Sequence, residues 1–477
     1  MPRKWLPAAA FGRLMNNPAS APRVLTHVGA ILFAAIVLAW PAYYNRYPLL
    51  YPDSISYMGD GSNVARALLH REFSDYYGFR SLIYSLGILP LHGHVTPWPI
   101  VAFNALLTSY VLWLLLRSLF PERTVLRFLV VVLALSLFTG LGWLVGWVMP
   151  DLLGPLLYLS MFVLVFAGET LCLSERGALG TIAWWGMVAH ASHLLLAIGL
   201  CPVLAAVLLL QKRGLRQSLR AVRPLAVILV VAVVSQVGLN WYLDDKPSLM
   251  GNRPPFLLAR VLADGPGKWY VQKHCGVAPV GSCDQLKLVT DDAEDFLWGE
   301  HGWVNASDDE QHAWNREELP VVLGALRDYP LQELRIAAAH FWEQLLTYAV
   351  ASYDANAWIA ESIDVVLPGK SAAYQRSRQA HNQLNEDFFS MVQDWALYVS
   401  LLLIVLWAIF GRRLWTPRLA ALSVLILYVL LANAAVTGNF SNVEDRYQAR
   451  VIWLVPLLAL LFLLTWLGRK VAMTRVS

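Results

Sequence analysis

Three short stretches of the sequence place ionisable side chains beside apolar runs, where they could do chemistry. Asp53 lies in the stretch YPDSISY, Arg80 in GFRSLIY, and Asp151 ends the stretch WVMPD. Ionisable groups in such positions of a membrane protein are usually functional, and a carboxylate can act as a general base. Structural alternatives stay open, because Asp53 or Ser54 could cap a helix, Asp151 suits a helix start, and Arg80 could reach lipid phosphates.

A fourth stretch, NVEDRYQAR, places Arg446 and Arg450 one helical turn apart, immediately before the last apolar run. Two guanidinium groups at this spacing can bind one phosphate in bidentate fashion. Tyr447 lies next to the first of them. The alternative is an internal cluster of ion pairs with Glu444 and Asp445.

Two histidines, His190 and His193, fall at the tip between two apolar runs. A single histidine is more often a hydrogen-bonded structural residue than a ligand, and the spacing of this pair matches no metal site. The four cysteines suggest one link, since Cys275 and Cys283 lie eight residues apart in a polar stretch. In an oxidising compartment we expect them to form a short-loop disulfide.

The composition around these stretches indicates a protein that lives in lipid. Of the 477 residues, 57% are hydrophobic and only 15% charged, whereas ordinary globular proteins carry about a quarter charged residues. Disordered chains and disulfide scaffolds are excluded by the same composition. The sequence therefore predicts an all-α polytopic membrane protein.

About ten apolar runs are long enough to cross a bilayer core of about 30 Å. They lie near 24–43, 97–117, 127–143, 152–171, 178–190, 194–211, 224–243, 393–410, 419–437 and 451–468. We expect the first to be a retained helix and not a cleaved signal peptide. The apolar piece 81–92 is expected to lie in the outer interface without crossing.

The charge distribution predicts the orientation. With the amino terminus in the cytoplasm, the inner loops and tails hold 19 of the 37 basic residues but only two acids, Glu122 and Glu175. This bias is what the positive-inside rule requires. The expected location is the bacterial inner membrane, with the candidate residues on the periplasmic side.

Three regions follow from this topology. Residues 1–243 form an amino-terminal transmembrane module with an outer loop at 44–96, and residues 393–477 form carboxyl-terminal transmembrane helices. Between them, 244–392 carries 22 acidic and 12 basic residues, a net charge of −10. At this length a segment can bury its own small core, so we expect a mainly helical periplasmic domain.

This layout resembles the GT-C superfamily of integral-membrane glycosyltransferases, which includes protein O-mannosyltransferases and aminoarabinose transferases. In those enzymes the first span is followed by a long outer loop with an essential aspartate, to which Asp53 corresponds. The stretch around Arg80 looks like a variant of the family's Arg/Pro-Pro-x-Tyr motif without the prolines, and Asp151 matches an acid in the second outer loop. The resemblance covers the architecture of 24–243.

The carboxyl third is similar more loosely, through an Arg-Tyr pair before the closing span that matches Arg446 and Tyr447. The resemblance implies a donor sugar on a polyprenyl phosphate, and a glycan, lipid or protein hydroxyl as acceptor. It implies Asp53 as the general base, with Arg80, Arg446 and Arg450 as candidates to stabilise the leaving phosphate.

Further roles complete the expected site. Asp151 would orient the acceptor or Arg80, or would bind a divalent cation (Mg²⁺ or Mn²⁺) together with Asp53. The residues expected to bind substrate are Tyr57, His190, His193, Arg446, Tyr447 and Arg450.

Two other classes remain open. One is a flippase or transporter of lipid-linked glycans, although such proteins usually place polar groups near the bilayer midplane, and here nearly all charges lie at the ends of the apolar runs. The other is a non-catalytic envelope assembly protein that uses its acidic outer domain to bind partners. Nucleic acid is not an expected partner.

Overall fold

The computed structural model describes residues 21–73, 80–251, 253–276, 291–350, 352–411 and 414–474. Over these residues the chain is helical and forms no β-strand beyond an isolated bridge between Leu49 and Trp147. The predicted all-α class is confirmed.

The helices of the amino-terminal half are α1 (Ala21–Leu38), α2 (Trp40–Asn45), α3 (Pro52–His70), α4 (Leu82–His92), α5 (Trp98–Leu119), α6 (Thr124–Phe138), α7 (Leu141–Gly146), α8 (Leu153–Phe166), α9 (Leu173–Ala189), α10 (Ala191–Leu210) and α11 (Leu215–Asp244). Those that follow are α12 (Phe256–Ala263), α13 (Pro266–His274), α14 (Ala293–Trp298), α15 (Asp308–Asp328), α16 (Pro330–Leu346), α17 (Ala357–Val366), α18 (Ser371–Tyr374), α19 (Glu386–Phe410), α20 (Pro417–Phe440), α21 (Asp445–Ile452) and α22 (Leu454–Thr474).

Six helical stretches in the described part of the chain are long and apolar enough to cross a membrane. They are α5, α10, α11, α19, α20 and the continuous stretch Asp445–Arg469 across α21 and α22. α11 and α19 are the least buried of the six, so they offer the most surface to lipid. The chain is a multi-pass membrane protein.

The other four predicted spans form shorter helices. The run 24–43 is divided between α1 and α2, next to Pro41, and the run 127–143 is divided between α6 and α7 at Gly140. The run 152–171 gives the 14-residue α8, and the run 178–190 falls on the 17-residue α9, which ends at Ala189. Proline and glycine interrupt helices inside apolar runs, which a count of apolar residues does not register. The prediction of ten spans is therefore not confirmed.

The apolar piece 81–92 forms α4, which has 11 residues. At 1.5 Å per residue it is about 16 Å long, well short of the roughly 30 Å of a bilayer core. It packs against α3, and a side-chain carbon added at Gly61 of α3 would lie 2.5 Å from the Ser85 carbonyl oxygen. Only glycine allows the two helices to approach this closely.

The segment predicted as one outer domain contributes to two separate hydrophobic cores. Residues of α12, α13, α14 and α15 pack around Leu262, Phe296 and Trp314 in a small core of their own. Residues from Val350 to Leu384 instead join the large core of the transmembrane helices, for example through Ile363. The described part of this segment is thus mainly helical, and its second half packs into the core of the transmembrane helices.

Of the four cysteines, Cys172 and Cys201 are free thiols, and Cys275 is in a disulfide. Cys283 lies outside the described residues, so its pairing with Cys275 stays a prediction.

Candidate functional site

Two backbone hydrogen bonds join the chain segments that precede Asp53 and Asp151. The Leu49 amide donates to the Gly146 carbonyl at 2.9 Å, and the Val148 amide donates to the Leu49 carbonyl at 3.0 Å. These bonds join the chain just before Asp53 to the chain just before Asp151. The two carboxylates, far apart in sequence, are thereby brought to the same side of the helix bundle.

Asp53 lies in the first turn of α3 but does not cap it. Tyr51 is the N-cap residue, and its amide donates to the Ser54 hydroxyl at 2.9 Å. Of the two residues considered as caps, Ser54 therefore takes part in the helix start, and the Asp53 carboxylate faces two arginines instead.

Arg80 is held at the start of α4 by Ser81. The Ser81 side chain accepts a hydrogen bond from the Tyr84 amide at 3.1 Å and donates to the Val188 carbonyl at 2.6 Å. This ties α4 to the end of α9 and fixes the position from which Arg80 reaches α3.

The carboxylate of Asp53 lies between two guanidinium groups. Its Oδ1 accepts from Arg80 Nη2 at 2.5 Å, and its Oδ2 lies 3.6 Å from Arg446 Nη1. The Asp53, Arg80 and Arg446 side chains are 10%, 20% and 12% exposed. A three-residue ion cluster with so little solvent is screened weakly by salt, and its charges act strongly on one another.

Aromatic rings hold the Arg446 guanidinium in place. It lies 4.5 Å from the ring centre of Tyr51 and 4.8 Å from that of Tyr447, and it donates to the Tyr447 hydroxyl at 3.0 Å. Burial raises the pKa of Tyr51 to about 12, although Arg446 opposes that shift. Tyr51 therefore stays protonated at neutral pH and keeps a hydrogen to donate.

A second ion pair lies deeper. Arg450 Nη1 is 3.5 Å from Asp151 Oδ1, and the two side chains are 1% and 4% exposed. Arg450 also donates to Asn433 Oδ1 at 2.7 Å and to the Ser192 hydroxyl at 2.9 Å. The predicted role of Asp151 in orienting Arg80 is not supported, because the ion pair that Asp151 makes is with Arg450.

The two histidines take positions that hold helices together. His190 is the N-cap of α10, and its Nδ1 bonds the Ser192 hydroxyl at 2.8 Å, next to Arg450. His193 is fully buried, and its Nδ1 bonds the Gly186 carbonyl oxygen at 3.1 Å. Of the pair, His190 is the one linked to the ion pairs, through Ser192.

Tyr57 lies beneath the first cluster, with its ring edge-to-face against Tyr84 at 4.9 Å. Burial is the main cause of a raised pKa for Tyr57, with Arg80 opposing it. Its hydroxyl is thus a neutral group beside the charged ones.

The acidic segment 244–392 contributes two residues that sequence reasoning missed. Trp298 of α14 lies 5.8 Å from the Arg80 guanidinium. Glu294, one turn earlier, accepts from the Asn442 side chain at 2.5 Å, and Asn442 in turn accepts from Arg260 at 3.0 Å. Nothing in the spacing of α14 marks these residues, because their role depends on the docking of this helix over Arg80.

Two carboxyl groups beside the cluster are harder to ionise than usual. Burial, followed by the negative charge of Glu444, raises the pKa of Glu294. Burial also raises the pKa of Glu444, and Arg446 opposes the shift. Both carboxyl groups therefore hold their protons to a higher pH than an exposed glutamate does.

Beside Arg446 there is a space of about 10 Å³, lined partly by Trp143, Trp147 and Tyr353. That is room for about one water molecule.

The residues present do not fit a divalent cation. The carboxylates of Asp53 and Asp151 face arginines, and no group of three or more His, Cys, Asp or Glu side chains suited to a metal occurs among the described residues. Hard cations such as Mg²⁺ need oxygen ligands that are not already paired with guanidinium groups.

The structure thus brings Asp53, Arg80 and Arg446 into one contact network and pairs Asp151 with Arg450 nearby. No family model matches the chain, and neither a comparison with curated proteins nor one with solved structures finds a match.

Proposed function

We propose that this protein is a membrane glycosyltransferase, which moves a sugar from a polyprenyl-phosphate donor to an acceptor hydroxyl on the outer face of the inner membrane. The observation that carries the proposal is the Asp53 carboxylate held between the Arg80 and Arg446 guanidinium groups. A base and two phosphate-binding cations within one contact network are the groups that this reaction needs. The resemblance to GT-C enzymes supplies the substrate class.

In the proposed reaction the donor phosphate competes with Asp53 for the guanidinium groups. Phosphate oxygens accept charge-assisted bonds from arginine as well as a carboxylate does, so binding of the donor releases Asp53. The acceptor oxygen then attacks the anomeric carbon, and its proton passes to the Asp53 carboxylate. The bond from the anomeric carbon to the phosphate oxygen breaks, and the phosphate leaves with the electron pair toward Arg80 and Arg446.

The remaining residues have supporting parts in this proposal. Tyr51 and Tyr447 hold the Arg446 plane, and Trp298 over Arg80 offers an aromatic face against which a sugar ring can pack. Arg450 lies one turn after Arg446 on α21, and its ion pair with Asp151 stabilises the position of that helix.

Replacing Arg446 by glutamine is expected to weaken binding of polyprenyl phosphate by about tenfold or more, because a charge-assisted contact to phosphate contributes roughly 1.5–3 kcal/mol. The measurement is native mass spectrometry of the purified protein titrated with undecaprenyl phosphate. Arg316→Gln is a matched control, since this exposed arginine lies in α15, outside the cluster. Equal binding by the Arg446→Gln and control proteins would contradict the proposed role.

Turnover separates the enzyme from a transporter. Detergent micelles separate no two compartments, so a flippase has no activity that can be measured in them. A transferase still converts a polyprenyl-phosphate sugar to polyprenyl phosphate when an acceptor is supplied. Lipids from cells that lack the protein should accumulate the glycosylated donor, and its mass would identify the sugar. Absence of both effects would reject the proposal.

The proposal requires the cluster to face the periplasm. In spheroplasts of a Cys172→Ser/Cys201→Ser strain, a membrane-impermeant maleimide is expected to label Glu300→Cys but not Leu215→Cys. Both positions are exposed, and residue 215 begins α11 within the basic stretch 212–223. Lysed membranes provide the control, since both sites should then react. Labelling at position 215 in intact spheroplasts would reverse the orientation.

A further inference from the structure

Residues 375–383 form a short polar segment, here called the platform, which is hydrogen-bonded to the chain at the end of α2 and after it. The Arg378 amide donates to the Asn45 carbonyl at 3.1 Å, and Arg378 Nε donates to the Tyr44 carbonyl at 3.0 Å. The next residue, Gln379, is fully buried and donates through its side chain to the Leu50 carbonyl at 2.6 Å. These bonds fix residues 375–383 against the chain that follows α2.

A concavity of about 340 Å³ opens between this platform and Arg46. Its polar lining includes Arg46, Arg376, Arg378, His381, Gln375 and Gln383, and no acidic side chain belongs to the lining. This is unexpected for a segment whose net charge is −10, with 22 acidic and 12 basic residues over 244–392. Three guanidinium groups that share one concavity repel one another unless an anion lies between them.

The cations of the concavity differ in how they are held. Arg378 is anchored to the backbone and lies 4.5 Å from the Tyr44 ring centre. Within the described residues, the Arg46 and Arg376 guanidinium groups make no ion pair and no side-chain hydrogen bond, and both residues are exposed. Two forked donors are therefore available to a ligand, next to one that is fixed.

We infer that this concavity binds a phosphate ester, most directly the head group of an anionic phospholipid. Planar guanidinium groups match the geometry of phosphate oxygens, and several of them around one anion give specificity as well as affinity. Glutamine amides at the rim supply neutral donors for the remaining oxygens or for head-group hydroxyls.

The position of the site favours a lipid over a soluble phosphate. Arg46 follows directly on the apolar helices α1 and α2, and Tyr43 of α2 is 59% exposed and stacks on Trp98 at 5.3 Å. Exposed tyrosine and tryptophan rings mark the head-group level of a bilayer. A lipid lying along α1 and α2 would present its phosphate to Arg46. This inference does not rest on the proposed transferase activity.

The test is native mass spectrometry of the delipidated, detergent-purified protein with three probes. They are dioctanoyl phosphatidylglycerol, dioctanoylglycerol, which lacks the phosphate, and inorganic phosphate. The variant is Arg46→Gln/Arg376→Gln, and Arg316→Gln is the control for loss of positive charge elsewhere on the outer region. The two substituted arginines, Arg46 and Arg376, are exposed, so the variant is expected to fold, and its thermal melting profile verifies this.

We expect the wild-type and control proteins to bind phosphatidylglycerol about tenfold or more tightly than the double variant, and dioctanoylglycerol not at all. Binding of inorganic phosphate alone, lost in the double variant, would support the phosphate site and reassign its source to a soluble ester. Equal binding by wild type and double variant would overturn the inference, and so would equal binding of the two lipids. If the double variant misfolds, Arg376→Gln alone decides by the same comparison.

Discussion

Replacing Asp53 by asparagine is expected to abolish glycosyl transfer almost completely while the protein stays folded. A positioned general base contributes about 10²–10⁴-fold to the rate, and a neutral amide cannot take the acceptor's proton. Asparagine keeps the size of the side chain and can still accept a hydrogen bond from Arg80. The structure also removes the capping explanation for a loss, since Tyr51 and Ser54 form the start of α3.

The measurement is turnover of a polyprenyl-phosphate sugar in detergent, at matched protein concentration and with a monodisperse gel-filtration peak. Asp309→Asn is the matched control, because this aspartate also lies in the first turn of a helix but is exposed in α15. The control should retain wild-type turnover. Full activity of Asp53→Asn would show that the carboxylate serves only as a partner of the two arginines.

The second large effect is on stability. Replacing Arg450 by glutamine is expected to destabilise the protein by about 3–5 kcal/mol, the usual cost of leaving one member of a buried ion pair without its partner. Both side chains are almost fully buried, and Arg450 also bonds Asn433 and Ser192, so three helices lose a shared contact. The stranded charge is that of Asp151.

A double variant tests this explanation. Asp151→Asn added to Arg450→Gln removes the stranded charge, so the pair should melt at a higher temperature than Arg450→Gln alone. Arg117→Gln is a useful comparison, because the Arg117–Glu175 pair is more exposed and should contribute about 1 kcal/mol or less. A double variant less stable than the single one would mean that Asp151 is held by contacts other than its charge.

Together the two experiments separate the roles of neighbouring ion pairs. In the cluster of Asp53, Arg80 and Arg446, Asp53→Asn should act mainly on the rate and lower the melting temperature less than Arg450→Gln does, because this cluster is more exposed than the Arg450–Asp151 pair. In the inner pair, Arg450 should control the melting temperature first. If both variants lost activity and stability alike, the two pairs would form one structural unit.

Much of the fold could be predicted from the sequence because helix formation and burial in lipid depend on local composition. Apolar runs near 97–117, 194–211, 224–243, 393–410, 419–437 and 451–468 correspond to helices long enough to span a bilayer. The predicted total of ten spans is not confirmed, since a count of apolar residues does not register breaks such as that at Gly140. The orientation in the membrane stays a prediction of the charge bias.

The candidate residues could be named from their types, but their partners could not. Asp53 and Arg446 lie near opposite ends of the chain. They meet only because folding brings the start of α3 next to α21. Likewise nothing local indicates that Asp151 pairs with Arg450, or that Trp298 covers Arg80.

Sequence alone therefore determined that the chain is helical and polytopic, and where its unusual charges lie along it. Tertiary structure alone decided which charges meet, that Asp53 lies between two arginines, and that a basic concavity forms inside an acidic segment. The physical reason is that helix propensity and hydrophobicity act over a few residues, whereas an ion pair depends on distance in space. That distance is set only when helices far apart in sequence pack together.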